Sequence, residues 1–412
     1  MTIRLMRRID YFLGIPLCFF LTIIQRFSGL FFFSRKESKI RKTALIIKLS
    51  EMGSIVLAYS FIKKIKEEYS AQNTFFLTFE GNRALFKIFG LIPDENIITI
   101  REGSSFLFIR DTLKAVDKIR KKNIDIVFDL ELFCRFTAIL SYLSAAPRRV
   151  GFYPYHTEGL YRGEFLTHKV QYNCRIHISK SYLSLWQAAR EPLKNTPDLA
   201  EQILDNEISL PEISTAKETK SIWDKLKGLS PEINYKNRLL LLNPGEGKIP
   251  LREWPLENFI ALARKLLEDE KNYIIVIGFQ MISKKAQVLC KSVNNERCLD
   301  LSNKTTLTEL FDLYGISTLL VTNDGGLAHL ASLRPIKKFV FFGPESPHLY
   351  SPLGDSTQII YSDLPCSPCF SAFNQRESAC EDNKCLQIIK ADDVYNLIKY
   401  YLGDLIFKDE QL

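Results

Sequence analysis

The sequence has no uninterrupted apolar run long enough to cross a bilayer as an ordinary helix. Its most apolar stretch, residues 11–33, is interrupted by polar residues at 25–28. The uninterrupted part, residues 11–24, is 14 residues long, whereas a spanning helix needs about 20. No small-residue cleavage site follows the stretch, which argues against a removed signal peptide.

Excess charge of one sign is absent from most of the 412-residue chain. Residues 1–42 hold nine Lys or Arg residues against Asp10 and Glu37, which accounts for seven of the eight net positive charges. Because this excess lies beside the apolar stretch, it indicates an anionic membrane surface as partner and argues against nucleic acid. An anchor lying in the membrane plane suits 14 apolar residues. A tilted span of 23 residues and a buried packing helix are the alternatives.

A disulfide framework is also lacking, because the nine cysteines are odd in number and five are scattered among apolar segments. The other four form one cluster: Cys366, Cys369, Cys380 and Cys385. Their spacing only partly matches a zinc ribbon. The cluster is therefore either a reduced set of thiols that braces a loop or a small zinc site, and we predict the former.

The length and a composition of 46% hydrophobic and 25% charged residues fit two folded domains. Alternating apolar runs and helical patterns occur twice, which predicts two α/β domains with parallel sheets, residues 43–191 and 236–412, after the membrane segment 1–42. A polar, proline-containing connector, residues 192–235, separates them. The predicted strands are 44–49, 74–79, 97–100 and 124–130 in the first domain and 239–242, 273–278, 319–322 and 338–342 in the second. The predicted helices are 55–69, 83–89, 106–122, 133–143, 256–269, 284–293, 307–314 and 326–333.

The turns that follow these strands carry glycine or proline with polar side chains. In such sheets, ligands bind beyond the carboxyl ends of the strands, so we expect the turns to face a common cleft. Gly325 and Gly326 follow a predicted strand and open a helix, which suits an anionic group. His329 lies one turn into that helix. The alternative is a helix capped by Asn323 or Asp324 and an ordinary surface histidine.

A phosphate held between two glycine turns also needs a cation, and Arg252 or Lys248 could supply it. Lys248 ends the turn that contains Gly245, after the first strand of the second domain. Neither domain has a complete G-x-G-x-x-G after its first strand, which argues against a nucleotide-dependent oxidoreductase.

Taken together, four segments resemble those of glycosyltransferase family 9, the bacterial lipopolysaccharide heptosyltransferases. They are NPG with R-x-W-P (residues 243–255), NDGGxxHLA (323–331), FGPxxP (342–347) and CxPC (366–369). The resemblance covers most of residues 40–400 and implies a GT-B fold of two Rossmann-like domains. It implies a nucleotide-sugar donor, with ADP-heptose expected, and a lipid-linked glycan acceptor, the lipopolysaccharide core, at the cytoplasmic face of the inner membrane.

The resemblance also implies roles for single residues. Arg252 matches the basic residue that contacts the donor phosphates, and Asp324, Gly325, Gly326 and His329 match the donor-binding loop. Where the family usually has Gly-Asp after the first strand, with the aspartate as the base, this chain has Gly53-Ser54.

Serine cannot act as a base without a partner. We therefore expect Glu51 to be the catalytic base, with Glu131 as a second candidate. The glutamate that the family often places after the second strand, for the donor ribose, is replaced by Phe279-Gln280, which leaves the nucleotide open. The scheme needs no metal or cofactor, and the lack of an Asp-x-Asp pair agrees with that. The alternative function is a non-catalytic homologue that binds a nucleotide sugar or glycan.

Overall fold

The computed structural model describes residues 3–31, 42–192, 199, 201–211, 213, 219–245 and 249–409. The chain forms two compact units, Met1–Pro211 and Glu212–Leu412. The division lies within residues 192–235, the segment for which the sequence predicts a connector.

In its described residues, unit 1 contains a parallel six-stranded sheet. The strands are β1 (Ala44–Ile47), β2 (Thr74–Phe79), β3 (Ile97–Ile100), β4 (Ile126–Asp129), β5 (Arg148–Tyr153) and β6 (His168–Gln171), in the spatial order β3-β2-β1-β4-β5-β6. The strands β1, β2 and β4 are buried at every position. Continuous apolar runs suit these central strands because helices cover both faces of a parallel sheet.

The helices of unit 1 are α1 (Ile3–Phe12), α2 (Gly14–Phe31), α3 (Met52–Leu57), α4 (Tyr59–Tyr69), α5 (Arg83–Phe89), α6 (Ser105–Lys121), α7 (Arg135–Leu143) and α8 (Ile178–Arg190). One face of the sheet packs against α6 and α7 through a core that includes Ala115, Ile119 and Leu140. On α4, Phe61 makes an edge-to-face contact with Phe128 of β4, at 5.2 Å between ring centroids.

The N-terminal helices form an apolar segment that runs almost without a break. Leu13 links α1 to α2, because its backbone amide donates to the carbonyl of Ile9 and its carbonyl accepts from Leu17. By length and composition, residues Leu5–Phe27 could cross a membrane, with a mean hydropathy of 1.4, and 17% of this stretch is buried. The continuous helix is therefore longer than the 14 apolar residues that the sequence argument counted.

Unit 2 repeats the architecture of unit 1 in its described residues. Its strands are β7 (Arg238–Asn243), β8 (Asn272–Val276), β9 (Cys298–Asp300), β10 (Leu319–Asn323), β11 (Lys337–Phe342) and β12 (Thr357–Tyr361), in the parallel order β12-β11-β10-β7-β8-β9. Its helices are α9 (Thr219–Leu229), α10 (Leu256–Leu266), α11 (Ser283–Val293), α12 (Leu307–Ile316), α13 (Gly326–Ala331), α14 (Pro347–Tyr350), α15 (Lys384–Gln387) and α16 (Ala391–Asp409).

The prediction of two Rossmann-like α/β domains is confirmed. The predicted bounds differ in places: the chain is already helical from Met52, before the predicted helix 55–69, and the predicted helix 256–269 ends at Leu266. Four short strands that the sequence analysis did not assign, β5, β6, β9 and β12, form the outer part of the sheets.

Candidate active site

The candidate residues follow the strands at the switch point of each sheet. In unit 1 the strand order reverses between β1 and β4, which precede Glu51 and Glu131. In unit 2 it reverses between β7 and β10, which precede Gly245 and Asp324. Such switch points open a crevice at the carboxyl ends of the strands, where α/β proteins bind ligands.

Glu51 lies on a strained turn between β1 and α3. Its backbone has φ 67° and ψ 90°, a positive φ that costs a non-glycine residue of order 1–3 kcal/mol and is enriched at functional sites. The Ser54 hydroxyl, on the first turn of α3, donates a 2.9 Å hydrogen bond to Glu51 Oε2. Ser54 is buried while Glu51 is exposed. The serine therefore orients a carboxylate that solvent or a substrate can reach.

Glu131, the second candidate base, instead stabilises the residues that lead into this turn. Its Oε2 lies 2.7 Å from the Lys48 ammonium, and its Oε1 accepts from the backbone amides of Leu49 and Ser50 at 2.8 and 3.2 Å. Although burial opposes the charge on Lys48, the Glu131 carboxylate raises the pKa of that lysine above its ordinary value. Because both oxygens of Glu131 are occupied, the geometry favours Glu51 as the base.

A second buried ion pair supports the end of β4. Asp129 pairs with the Arg162 guanidinium, and both side chains are almost fully buried. Burial raises the pKa of Asp129, and Arg162 opposes that shift. Arg162 also donates to the backbone carbonyls of Glu131 and Phe152. This pair therefore belongs to the scaffold that carries Glu131.

In unit 2, Trp254 fixes the loop that carries Arg252. The indole is buried and stacks on Phe341 of β11, at 4.3 Å between centroids. Its ring N–H donates to the carbonyl of Ile389 at 2.9 Å. The backbone amide of Trp254 donates to Asn323 Oδ1 at 2.8 Å. The R-x-W-P pattern thus anchors its tryptophan in the core and sets Arg252 at the edge of the sheet.

Arg252 belongs to a network of two arginines and two carboxylates. Its guanidinium donates to Glu345 Oε2 at 2.7 Å, and its Nε lies 3.6 Å from Asp324 Oδ2. A second guanidinium, that of Arg376, lies 3.3 Å from the same Glu345 oxygen. The Glu345 side chain is 1% exposed, and those of Arg252 and Arg376 are 11% and 13% exposed. A buried carboxylate thus holds two cations beside each other at the carboxyl edge of the sheet.

The glycine turn after β10 is extended and leads into a short helix. Gly325 has φ 179° and ψ −177° and forms the N-cap of α13, where no side chain caps the helix. The N-cap residue is thus Gly325, not Asn323 or Asp324, and the Asn323 side-chain oxygen accepts from Trp254. His329 is buried, not a surface histidine. Because α13 spans only six residues, its dipole contributes little, and Arg252 gains in importance for binding an anion.

Gly245 has a packing role in the structure. A Cβ built on Gly245 would lie 2.6 Å from Ile282 Cγ2, a distance that forbids a larger side chain without a shift. A donor contact at Gly245 stays a prediction. Lys248, the other predicted phosphate ligand, lies outside the described residues.

The four clustered cysteines lie on both sides of Arg376 in the sequence, two before it and two after it. Cys385 is buried, whereas Cys366 and Cys380 are exposed. Burial raises the pKa of Cys385, and the other three thiols act in the same direction. In the described part of the chain, no three His, Cys, Asp or Glu side chains are placed to hold a metal ion.

Sequence reasoning missed Glu345 and Arg376 as site residues. Glu345 is visible in the sequence because it follows β11, at the same sheet edge as Asp324. Arg376 gives no such signal, because its loop reaches the site through a backbone hydrogen bond from Phe370 to Pro344 (2.7 Å). Two further basic residues of unit 1, Arg148 and Arg149, are the first two residues of β5. There, Arg149 donates to the carbonyls of Ala146 and Phe165.

Comparisons with known proteins agree with this architecture. The chain is 28% identical over 183 residues to lipooligosaccharide heptosyltransferase 2 of Campylobacter jejuni; the match covers 42% of this chain and 55% of that protein. The chain thus spans about half the length of that relative. It is 22% identical to lipopolysaccharide heptosyltransferase 2 of Escherichia coli, over 77% of this chain and 87% of the relative.

Solved structures share the fold. The E. coli ADP-heptose lipopolysaccharide heptosyltransferase II matches with a TM-score of 0.65 at 18% identity, over 89% of this chain and 99% of that chain. A family 9 glycosyltransferase from Veillonella parvula matches with a TM-score of 0.66 at 15% identity, over the same shares. The family model for glycosyltransferase family 9 (heptosyltransferase) matches residues 112–379, more than half of the chain. The chain belongs to glycosyltransferase family 9.

Proposed function

We propose that the protein is an inverting glycosyltransferase that moves heptose from ADP-heptose to the core of lipopolysaccharide or a related surface glycan. The observation that carries the proposal is the pair of guanidiniums, Arg252 and Arg376, that one buried carboxylate, Glu345, holds at the edge of the unit 2 sheet. The names of the relatives supply the sugar, the nucleotide and the acceptor class.

Unit 2 holds the donor in this proposal. A diphosphate leaving group carries most of its charge on oxygens that suit planar, bidentate guanidinium donors. Because Glu345 and Asp324 already fix Arg252, little conformational entropy is lost when a phosphate binds. Gly325, Gly326 and His329 lie on the adjoining turn and helix, where we expect the rest of the donor.

Unit 1 supplies the base. Glu51 takes the proton from the acceptor hydroxyl as the hydroxyl oxygen attacks the anomeric carbon. The bond from that carbon to the diphosphate oxygen breaks, ADP leaves with the electron pair, and the configuration inverts. The two arginines stabilise the charge that develops on the departing diphosphate. The scheme uses no metal ion.

The apolar N-terminal helices give the enzyme access to a lipid-linked acceptor. The candidate membrane segment Leu5–Phe27 and the basic residues around it support attachment to an anionic bilayer. We expect the body of the protein at the cytoplasmic face of the inner membrane. Even for a spanning helix, the basic residues that follow the apolar segment would give this side.

The proposal is tested by the release of nucleoside diphosphate from a panel of sugar nucleotides that includes ADP-heptose, with and without a truncated lipopolysaccharide acceptor. The wild-type protein is compared with Glu51→Gln and Asp324→Ala. Glu80→Gln serves as the matched control, because Glu80 is an exposed carboxylate that follows the neighbouring strand β2. We expect acceptor-dependent release with ADP-heptose that both site variants lose and the control keeps.

Two other outcomes contradict parts of the proposal. Donor binding without release from any sugar nucleotide supports the non-catalytic homologue, for which the serine at position 54 is the motivating observation. Full turnover by Glu51→Gln assigns the base to another group.

A further inference from the structure

An exposed apolar stripe runs along the outer side of α6. Phe106, Ile109 and Leu113 lie three and four residues apart, on one face of the helix, and they are 72%, 59% and 66% exposed. The opposite face holds Ala115 and Ile119, which belong to the core under the sheet. Large apolar side chains grouped in this way on a surface mark an interaction site.

The stripe lies on the same face of the unit 1 sheet as α7. The crossovers β3-α6-β4 and β4-α7-β5 run in the same direction along the sheet, so the right-handed rule puts α6 and α7 on the same face. Phe108 of α6 contacts Phe136 of α7, at 5.1 Å between centroids. The other side of α7 meets α2 through Ala138, which packs with the buried Cys18. The outer sides of α6 and α7 therefore lie on the same side of the sheet, and α2 packs on α7.

The outer face of the N-terminal helices is apolar as well. Its large exposed side chains recur every three or four residues, at 51–61% exposure: Leu13, Leu17, Phe20, Ile24 and Phe27. The side of α2 that faces the protein carries Gly14, where a Cβ would lie 2.9 Å from Arg135. Unit 1 thus exposes two apolar stripes, one along α2 and one along α6, and both helices lie beside α7.

The N-terminal helix is tied to unit 1 along its length. Asp10 accepts from the backbone amides of Arg135 and Phe136, and the Gln25 side chain donates to the carbonyl of Glu164 at 3.3 Å. Asp10 and Gln25 are about 22 Å apart along a helix. A helix held in this way cannot cross a bilayer without carrying the buried Arg135 into hydrocarbon, which is costly. This favours a helix that lies in the membrane plane.

Cationic side chains border the stripe. Arg110 and Lys114 lie on α6 beside Ile109 and Leu113; Lys114 is exposed, and the Arg110 side chain is 40% exposed. They add to the seven net positive charges of residues 1–42. Asp117, one turn beyond Leu113, is an exposed carboxylate, but it pairs with Lys121 at 2.7 Å. The border is therefore basic on balance, which is complementary to a bilayer that contains anionic headgroups.

We infer that unit 1 docks on an anionic lipid bilayer through a joint surface, formed by the outer faces of α1, α2 and α6, with Phe106, Ile109 and Leu113 inserted beside the in-plane N-terminal helix. The inference deepens the membrane attachment in the proposed function and rests on it for its physiological purpose. It assigns α6 as a second membrane contact, separate from the N-terminal segment.

The test is binding of the full-length protein to vesicles of phosphatidylethanolamine with phosphatidylglycerol, measured by flotation. The triple variant Phe106→Ser/Ile109→Ser/Leu113→Ser is expected to partition about tenfold less, because less apolar area enters the bilayer. The double variant Leu397→Ser/Tyr400→Ser is the matched control, since both side chains are exposed apolar groups on α16 of unit 2. Vesicles of phosphatidylcholine alone should bind the wild-type protein more weakly.

Tryptophan placed in the stripe gives a second readout that does not depend on the triple variant folding. Phospholipids brominated on their acyl chains should quench Phe106→Trp and Leu113→Trp but not Leu397→Trp. Equal vesicle binding by wild type and triple variant, or no quenching of the stripe tryptophans, overturns the inference. A lipid-free dimer that the triple variant abolishes also overturns it, because a second copy then covers the stripe.

The inference and the proposed function fail separately. Sugar transfer to a soluble, delipidated acceptor without vesicles should be the same in the wild type and the triple variant. A wild-type protein that binds vesicles but transfers no sugar to the soluble acceptor counts against the proposed function alone.

Discussion

Ser54 donates a 2.9 Å hydrogen bond to the carboxylate of Glu51, three residues before it on the first turn after β1. The family resemblance puts an acid at position 54, whereas in this chain a carboxylate lies three residues earlier on the same turn. The positive φ of Glu51 has a conformational cost, and we expect it to be the cost of presenting the acid from that position.

The first prediction concerns which residue supplies the carboxylate. Glu51→Gln should lower kcat about 10²- to 10⁴-fold, as expected for a lost general base. Ser54→Ala should lower it only about fivefold, the value of one hydrogen bond. The double variant Glu51→Gln/Ser54→Asp should recover part of the lost activity. Steady-state ADP release measures all three, and a double variant as inactive as Glu51→Gln would argue against the interpretation that Glu51 stands in for an acid at position 54.

The second prediction separates stability from activity at the same residue. Glycine accepts φ 67° without strain, so Glu51→Gly should be about 1 kcal/mol more stable to unfolding than Glu51→Ala, after the entropy cost of glycine is subtracted. Both variants should be equally inactive. Urea unfolding followed by circular dichroism gives the comparison, and equal stabilities would mean that the turn is not strained.

The third prediction concerns the network around Glu345. Because Glu345 holds both guanidiniums, Glu345→Gln should raise the KM for the donor about 10-fold or more, with a smaller effect on the KM for the acceptor. Arg376→Lys should raise it as well, since an ammonium cannot replace a planar fork. Lys265→Gln is the control. Lys265, in the last turn of α10, also forms an ion pair, but its partner is Asp392 and not Glu345. Donor KM values unchanged in both site variants would remove Arg376 from the site.

The sequence predicts the parts of this site that depend on neighbouring residues, and it does not predict contacts between residues that are far apart in the chain. The apolar runs of β1, β4, β7 and β10 and the glycine turns after them are local signals, so the two sheets and their switch points follow from the sequence. The pairing of Arg252 with Glu345 joins residues 93 apart, and no local pattern reports such a contact. Its partners become visible only when parallel strands bring their carboxyl ends together.

The strands that the sequence analysis did not assign show the same limit. The first two residues of β5, Arg148 and Arg149, are charged, so no apolar run marks the start of this strand. In the structure the Arg149 guanidinium reaches carbonyls at the ends of neighbouring segments, which makes an arginine acceptable in a strand near a sheet edge. Tertiary hydrogen bonds override the local pattern at these positions.

The fourth prediction is a pH dependence that arises in unit 2. Glu309 lies on the first turn of α12, and its carboxylate accepts from the Thr306 backbone amide and hydroxyl at 2.8 and 3.0 Å. It also pairs with Lys225 of α9 at 2.8 Å. Burial opposes ionisation, but these partners outweigh it and lower the pKa of Glu309 from 4.5 to about 2. A lowered pKa means that the folded state binds fewer protons. The resulting stability is present above pH 4.5 and is lost as the pH falls towards 2.

Glu309→Gln should remove the part of the stability loss at low pH that comes from protonation of Glu309. The variant should be less stable than the wild type at pH 7, and the difference should shrink as the pH falls below 4.5. Thermal unfolding at a series of pH values provides the measurement. Glu268→Gln, an exposed carboxylate after α10, is the control and should follow the wild-type curve. A constant difference between Glu309→Gln and the wild type across this range would contradict the prediction.

The fifth prediction asks whether Gly245 serves packing alone or also the donor. Gly245→Ala should destabilise unit 2 by about 1–3 kcal/mol, because its Cβ meets Ile282 Cγ2 at 2.6 Å. Ile282→Ala removes that methyl group, so the double variant should be more stable than the sum of the two single effects allows. The KM for the donor then decides the role. A double variant with restored packing and a normal KM assigns Gly245 to packing alone. One with restored packing but a raised KM means that a donor group approaches the backbone at Gly245, as the sequence analysis predicts.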